Sequence, residues 1–206
     1  SYRACYKPQL PRFFIERLSN PGDAVYDPFM GRGTTQMEAF LLARKPIGND
    51  INPLSKVLLS PRLSPPRIED IERRLKEIDL SNPKEKNSDL LAFYHAETLK
   101  EIIALKEYCL EREKSGTLDT LDEWIRMVAI NRLSGHSPGF FSVYTLPPNQ
   151  AVSVKRQLKI NKNRNQVPEY KDISSRIIKK SKSLLKDWKN PREDESIHTL
   201  SAQLTD

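Results

Sequence analysis

The pattern of apolar and polar positions predicts a strand, a glycine-rich turn and a helix near the start of the chain. The apolar run Ala24–Tyr26 predicts the strand, and apolar residues at helical spacing predict a helix over residues 36–43. The turn between them, residues 27–35, contains two glycines. Glycines let a backbone approach a ligand without Cβ clashes, and the start of the helix adds unpaired N–H groups. This turn therefore predicts a small-molecule site.

A second strand is predicted directly after that helix, over residues 45–49, and it ends at Asp50. A right-handed crossover makes the two strands parallel, which brings Asp27 and Asp50, 23 positions apart, to the same edge of the sheet. In doubly wound folds an acid at the second strand end binds ribose hydroxyls. Because a carboxylate repels phosphate but accepts from ammonium or hydroxyl groups, Asp27 favours a positively charged cofactor over a pyrophosphate. A tight turn in an unrelated α/β domain is the alternative.

The rest of the pattern predicts mainly helices, joined by polar or proline-rich segments. Residues 12–18 predict an amphipathic helix that packs its apolar residues on a sheet edge: Phe13, Phe14, Ile15 and Leu18. Further predicted helices cover residues 54–59, ended by Pro61, and then residues 68–78, 98–112, 119–133 and 168–188. The remaining predictions are a linker over residues 81–90, an extended aromatic-rich segment over residues 139–146 and a third strand over residues 197–200.

Composition predicts a soluble chain with one core and appendages, since its 206 residues are 37% apolar and 30% charged. No run of 18 apolar residues is present, and the start of the chain lacks the basic-then-apolar pattern of a signal peptide. We therefore expect a cytoplasmic protein without membrane contact. Cys5 and Cys109 are expected to be reduced and structural, and the three scattered histidines predict no metal site.

Positive charge is concentrated in one part of the chain. Residues 151–192 contain thirteen Lys or Arg and three acids, a net charge of +10, whereas residues 1–150 carry +1 and the last fourteen residues −4. A concentrated positive segment is typical of phosphate binding, and a solvated helix face is the equally weighted alternative on charge alone.

The segment DPFMGRGTT followed by GNDINP resembles the S-adenosylmethionine-binding half of DNA methyltransferases that modify exocyclic amino groups. The resemblance implies transfer to N4 of cytosine or N6 of adenine, of which we prefer the first. It implies a partial α/β sheet, Rossmann-like and of the class I methyltransferase type, with a largely helical insertion. The implied parts are a cofactor-binding βαβ part over residues 1–64, a helical and basic DNA-contacting insertion over residues 65–192, and a return to the sheet over residues 193–206.

The resemblance also assigns residues. In this family the glycine loop wraps the methionine part of the cofactor, the acid after the second strand holds the ribose, and the next two residues border the adenine. An upstream segment, here containing Lys7, closes over the methionine carboxylate. The implied cofactor residues are Lys7, Asp27, Pro28, Phe29, Gly31, Gly33, Thr34, Asp50, Ile51 and Asn52.

With this resemblance, duplex DNA becomes the favoured partner of the basic segment. Cations there would contact phosphates, and neighbouring amide side chains would read base edges. The predicted DNA-contacting cations are Lys155, Arg156, Lys159, Lys162 and Arg164, and the amides are Gln150, Asn161, Asn163 and Asn165.

The catalytic loop of this family is a Ser, Asn or Asp followed by two prolines and an aromatic residue. The near match Ser64-Pro65-Pro66-Arg67 lacks the ring and follows the second strand too closely. It predicts instead a helix entry with Pro66 in the first turn. We therefore assign no catalytic residue and expect the loop on a missing segment or a second chain. The alternatives are a non-catalytic nucleic-acid-binding subunit and an RNA or small-molecule methyltransferase of the same fold.

Overall fold

The computed structural model describes residues 6–84, 88–146, 150, 152–186, 188 and 203–205. The chain divides into two compact units. We call residues 2–65 with 187–206 the sheet unit and residues 66–186 the helical unit.

The described part of the sheet unit is built on three parallel strands. Its elements are α1 (Gln9–Leu18), β1 (Ala24–Asp27), α2 (Thr34–Leu41), β2 (Lys45–Asn49), α3 (Leu54–Leu63) and β3 (Gln203–Thr205). The strand order is β1-β2-β3, with Asp27 opposite Gly48 and Asn49 opposite Thr205. The predicted parallel pair around the glycine turn is confirmed. The third strand predicted at residues 197–200 lies outside the described residues.

The core of the sheet unit joins the glycine turn to two helices. The cluster contains four buried residues, with Met37 and Trp188 packed against it: Met30, Phe40, Leu59 and Leu63. The prediction that Pro61 ends α3 was wrong, because the helix continues to Leu63. Burial of Leu59 and Leu63 favours this extra turn over the hydrogen bond that proline cannot donate.

The predicted apolar face of α1 was wrong for Phe13, Phe14 and Leu18 and right for Ile15. Only Pro11 and Ile15, one helical turn apart, are buried, whereas Phe13, Phe14 and Leu18 are 48%, 51% and 80% exposed. The guanidinium of Arg17 lies 3.6 Å above the Phe13 ring, so an exposed cation covers part of this apolar surface.

The helical unit contains five α-helices in its described residues. They are α4 (Ile68–Glu77), α5 (Ala96–Lys114), α6 (Thr120–Arg132), α7 (Val154–Asn163) and α8 (Ile173–Leu185). A 3₁₀ turn, Asp89–Ala92, begins in the predicted polar linker and extends two residues beyond it. The apolar core includes Ile125, Met127, Val128, Ile173 and Ile177.

Two predictions for the helical unit need correction. The helix predicted from Pro168 begins at Ile173, because the Asp172 carboxylate accepts the Ser175 N–H at 2.5 Å and caps it there. Residues 139–144, predicted as part of an extended or strand-like segment, form a turn and bends with a bridge from Gly135 to Tyr144. Phe141 and Val143 are both buried there, so the apolar pattern reflects packing.

Buried charge also stabilises the helical unit. The Asp122 side chain is fully buried and accepts hydrogen bonds from Tyr108 at 2.9 Å, from Arg112 at 2.5 Å and from Arg74. Burial raises the pKa of the Cys109 thiol to about 11, which fits the predicted structural role of this reduced cysteine. Cys5 lies outside the described residues.

No helix in the described part of the chain is long and apolar enough to cross a membrane. The same residues contain no group of three or more His, Cys, Asp or Glu side chains placed to hold a metal ion.

Candidate functional site

The glycine turn between β1 and α2 adopts the left-handed backbone that its glycines permit. Gly31 has a φ of 52° and Gly33, at the N-cap of α2, a φ of 76°. A Cβ on Gly33 would lie 2.6 Å from the Leu59 side chain. Gly33 therefore allows close packing of α3 on the turn, a reason that the sequence prediction, which considered only ligand approach, had missed.

Asp50 fastens this turn to the end of β2. Its carboxylate accepts the N–H of Gly31 at 2.8 Å and the N–H of Asn52 at 2.9 Å. The Asn52 N–H, followed by that of Gly31, holds the pKa of Asp50 below its ordinary value. Met30 adds a backbone hydrogen bond to Asn49 at 2.9 Å. The acid that follows β2 thus lies directly against the glycine turn, as a shared site requires.

Asp27 lies at the end of β1 and organises the other side of the turn. One carboxylate oxygen accepts the Phe29 N–H at 2.9 Å, and the other accepts the hydroxyls of Thr35 at 2.7 Å and Tyr6 at 3.2 Å. A carboxylate has about four lone-pair sites, so these contacts leave it limited capacity for a ligand. The sequence prediction missed Tyr6 and Thr35, because a single hydroxyl has no periodic signal.

Large apolar side chains remain open to solvent beside both acids. Phe29 is 85% exposed and Ile51 100% exposed, while Met30 between the two strand ends is 4% exposed. Exposed apolar surface next to carboxylates suits a ligand that combines a flat apolar group with hydroxyl or ammonium groups.

The other predicted cofactor residues occupy the same segment of the sheet unit. Lys7 and Pro28 are exposed, and Thr34 is the first residue of α2 and partly buried. The Asn52 side chain accepts the Leu54 N–H at 3.0 Å and so supports the start of α3.

The predicted DNA-contacting cations lie on and after α7, a helix that the sequence analysis did not predict. Four exposed cations lie on this helix: Lys155, Arg156, Lys159 and Lys162. Arg164 follows it, and its guanidinium carbon is 3.8 Å from the centre of the Tyr144 ring. Mutual repulsion along one exposed helix favours a polyanion as partner.

The predicted role of Asn161 in reading base edges was wrong. Its side-chain oxygen accepts from Gln157 at 2.7 Å and Gln166 at 2.8 Å, and its amide donates to the Ala92 carbonyl at 2.7 Å. These contacts occupy the amide inside the helical unit. The spacing of Gln157 and Asn161, four residues apart on one helix, was the available signal.

The segment from Ser64 to Arg67 serves as a helix entry. Arg67 is the N-cap residue of α4 and donates to Asp70 at 3.1 Å. The helix begins at Ile68, so Pro66 precedes the cap and the prediction that it lies in the first turn was wrong.

Comparison with known proteins identifies the segment that contains the strand ends and the glycine turn. A protein-family model described as DNA methylase matches residues 1–56. The predicted resemblance to DNA amino-methyltransferases is confirmed. The matched segment includes Asp27, Asp50 and every other predicted cofactor residue.

Curated relatives of the chain carry names of the same kind. They are type II methyltransferase M.MjaII of Methanocaldococcus jannaschii, 33% identical over 43% of this chain and 17% of its own length; M.BsoBI of Geobacillus stearothermophilus, 30% identical over 46% and 23%; and M.MvaI of Kocuria varians, 32% identical over 39% and 18%. The chain thus spans about a fifth of the length of these relatives. No solved structure matches it significantly.

Proposed function

We propose that this chain is the cofactor-binding and DNA-contacting part of a DNA methyltransferase that uses S-adenosylmethionine. Its target is an exocyclic amino group, with N4 of cytosine preferred over N6 of adenine. The observation that carries the proposal is the junction of two parallel strand ends, where the Gly31 N–H donates to Asp50 at 2.8 Å in the segment that matches the DNA methylase family.

The residues at this junction fit S-adenosylmethionine chemically. Asp50 is half-buried, and its N–H partners favour the ionised carboxylate because they lower its pKa. It is therefore suited to accept ribose hydroxyls. Exposed Ile51 offers the apolar surface that an adenine ring requires, and exposed Phe29 offers apolar surface to the methionine part. The bound cofactor would supply an electrophilic methyl group on a positively charged sulfur.

The proposal gives the main cofactor-binding residues distinct roles. Asp50 fixes the ribose, and Ile51 with Asn52 borders the adenine. Asp27, held by Tyr6 and Thr35, provides negative charge near the cationic end of the cofactor. Lys7 is exposed and pairs with the methionine carboxylate, while Pro28, Phe29 and the glycine backbone enclose the methionine part.

The DNA part of the proposal rests on α7. Its cations Lys155, Arg156, Lys159 and Lys162 are all exposed, as phosphate contacts require. Phosphate contacts position a protein on a duplex without reading its sequence. We therefore assign this helix to DNA attachment and not to recognition of a particular base.

The catalytic loop is expected on a segment or chain that pairs with the sheet beside β1. Within the described residues β1 has β2 as its only neighbouring strand, and its Tyr26 is 58% exposed. Soluble proteins rarely leave such an edge and such a side chain uncovered. Amino groups of cytosine and adenine are weak nucleophiles, so transfer requires a loop that polarises the amine and holds it in line with the methyl group.

Calorimetry with the 206-residue chain tests the cofactor site. S-adenosylmethionine or its demethylated product should bind, and Asp50→Asn should weaken binding about tenfold, because a hydrogen bond to a charged acceptor contributes roughly 1.5 kcal/mol or more. Asp23→Asn is the matched control: Asp23 accepts the Asn20 N–H at 2.7 Å in the turn before β1. Equal weakening by both variants, or by neither, would refute the assignment of Asp50.

Methyl incorporation into mixed-sequence DNA tests whether the catalytic loop lies on another segment or chain. The chain alone should transfer no methyl groups, and adding the segment that carries the catalytic loop should restore transfer. Transfer by the chain alone that disappears on Ser64→Ala would show that residues 64–67 are the catalytic loop after all.

A further inference from the structure

The helical unit contains a polar cavity, and none of its lining residues belongs to the segment that matches the DNA methylase family. The cavity has a volume of about 420 Å³. Its lining comes from the bend at residues 136–138, from Tyr144, from the segment at residues 164–171 and from α8. The proposed function gives this cavity no role.

The charged lining of the cavity is mostly positive. Arg164, Lys171 and Arg176 line it together with one acid, Glu169. The side-chain Nε of Arg176 is buried, and no atom of the described residues accepts a hydrogen bond from it. The described chain leaves this donor unpaired, at a cost in free energy. Because an atom shielded from solvent is also shielded from a ligand, contact with a ligand in the cavity would fall to the terminal N–H groups of the Arg176 guanidinium.

Lys171 strengthens this conclusion. Its ammonium donates to the carbonyl of Phe140 at 3.3 Å and to that of Ser142, which fixes the side chain at the cavity wall. Burial lowers the pKa of Lys171, the charge of Arg176 lowers it further, and Glu169 opposes both. Two cations thus repel each other across one cavity, and an anion between them would relieve that repulsion.

The wall also contains a flat cationic surface. The Arg164 guanidinium stacks on the Tyr144 ring at 3.8 Å. Stacking holds the guanidinium plane while leaving its N–H edges able to donate. The parallel N–H donors of an arginine guanidinium match the spacing of two phosphate oxygens better than they match an uncharged ligand.

We propose that this cavity binds a phosphate group of the nucleic acid, with Arg176 and Arg164 as its ligands. The proposal rests on the proposed function, because it takes the phosphate from DNA that is held by α7. The volume has room for a phosphate with its attached sugar. The helical unit would then contact DNA through two features, the exposed face of α7 and this internal pocket.

Three variants of the full chain test the pocket by duplex DNA binding at several salt concentrations. Arg176→Gln should weaken binding about tenfold and lower the salt dependence by about one phosphate contact. Glu169→Gln should strengthen binding, a gain that a misfolded protein cannot show. Lys179→Gln is the control, since Lys179 is an exposed cation on the same helix that does not line the cavity.

Equal effects of Arg176→Gln and Lys179→Gln, with no gain from Glu169→Gln, would overturn the pocket. A triple variant, Lys155→Gln, Arg156→Gln and Lys159→Gln, separates this outcome from failure of the proposed function. If the triple variant weakens DNA binding while the pocket variants behave as their control, the assignment of α7 to DNA contact stands and only the pocket proposal is wrong.

An NMR titration with inorganic phosphate identifies the source of the ligand. Shifts near residues 164–176 that disappear in Arg176→Gln, in a chain that binds no DNA, would support a phosphate pocket for a free phosphate compound and overturn the assignment to nucleic acid. Absence of both phosphate binding and variant-dependent DNA binding would overturn the pocket entirely.

Discussion

In the sheet unit, Asp27 and Asp50 accept hydrogen bonds from backbone N–H groups of the turn that they flank, and both remain half-buried. In the helical unit, Asp122 is fully buried and its main partners are the side chains of Arg74, Arg112 and Tyr108. The first arrangement leaves both carboxylates partly exposed, although Asp27 has less capacity for a ligand because the hydroxyls of Thr35 and Tyr6 also donate to it. The second uses a carboxylate to join three helices, and nothing of it is left for chemistry.

Asp27 and Asp50 therefore belong to a candidate binding site, whereas Asp122 stabilises the fold of the helical unit. Backbone donors close in sequence can hold a carboxylate at the surface at little cost in desolvation. A buried carboxylate requires cationic partners, and its loss leaves their charges uncompensated. The two units should therefore respond differently to loss of a carboxylate, and hydrogen exchange measured separately over β2 and α6 can distinguish them.

The largest effect is expected at Asp122. Asp122→Asn should destabilise the helical unit by roughly 3 to 5 kcal/mol, because the partly buried Arg74 and Arg112 lose their buried counter-charge. Faster hydrogen exchange over α6, with β2 changed less, is the expected result. Asp70→Asn is the control, since Asp70 pairs with exposed Arg67 and Arg73; an equal loss in both variants would contradict the comparison.

The next effect concerns the glycine turn. Gly33→Ala should destabilise the sheet unit by about 2 to 4 kcal/mol, because it adds left-handed strain and a clash with Leu59 at 2.6 Å. Gly22→Ala isolates the strain, since Gly22 has a φ of 92° and nothing within 4 Å of its Cβ position. Urea denaturation of both variants measures the difference. Equal losses would mean that packing against Leu59 contributes nothing.

A smaller effect is expected for the amides of α7. Asn161→Ala should destabilise the helical unit by about 1 to 3 kcal/mol, because the carbonyl of Ala92 and the amides of Gln157 and Gln166 lose a partner. Asn163→Ala, at an exposed position on the same helix, should change stability by less than about 0.5 kcal/mol. Thermal denaturation of the two variants is the measurement. A DNA-binding defect without loss of stability in Asn161→Ala would restore its base-reading role.

The smallest effect is the pH dependence at Asp50. Because its folded-state pKa is lowered, its stabilising contribution is present above the unfolded pKa of about 3.9 and is lost as pH falls through the lower folded value. Wild type should therefore lose more stability than Asp50→Asn between about pH 5 and pH 2. Parallel melting temperatures in the two proteins over this range would argue against the hydrogen bonds from Asn52 and Gly31.

The same comparison explains how far sequence reasoning reached. Strands β1 and β2, the turn between them and the two acids are encoded within 27 consecutive positions from Ala24, so local pattern and spacing sufficed to predict the parallel pair. Helices α5 and α6 were predicted to within two residues, because their apolar periodicity is long.

The wrong and missed predictions share a cause, since each concerns a residue whose environment depends on parts of the chain distant in sequence. Asn161 looked like a surface amide until Ala92, 69 positions earlier, was seen to accept from it. Phe13 and Phe14 looked like core residues because periodicity shows that a face is apolar but not whether anything covers it. Tyr6 reaches Asp27 across 21 positions and has no pattern that would reveal it.

Met30 gives the candidate cofactor site a kinetic property. Its side chain is buried in the core cluster, its N–H donates to Asn49, and its carbonyl accepts from Gly33 at 2.7 Å. The turn therefore holds its shape without a ligand, and the loss of backbone entropy occurs during folding and not during binding. A preorganised turn of this kind favours association at a single rate, with no slow loop-ordering phase in stopped-flow traces.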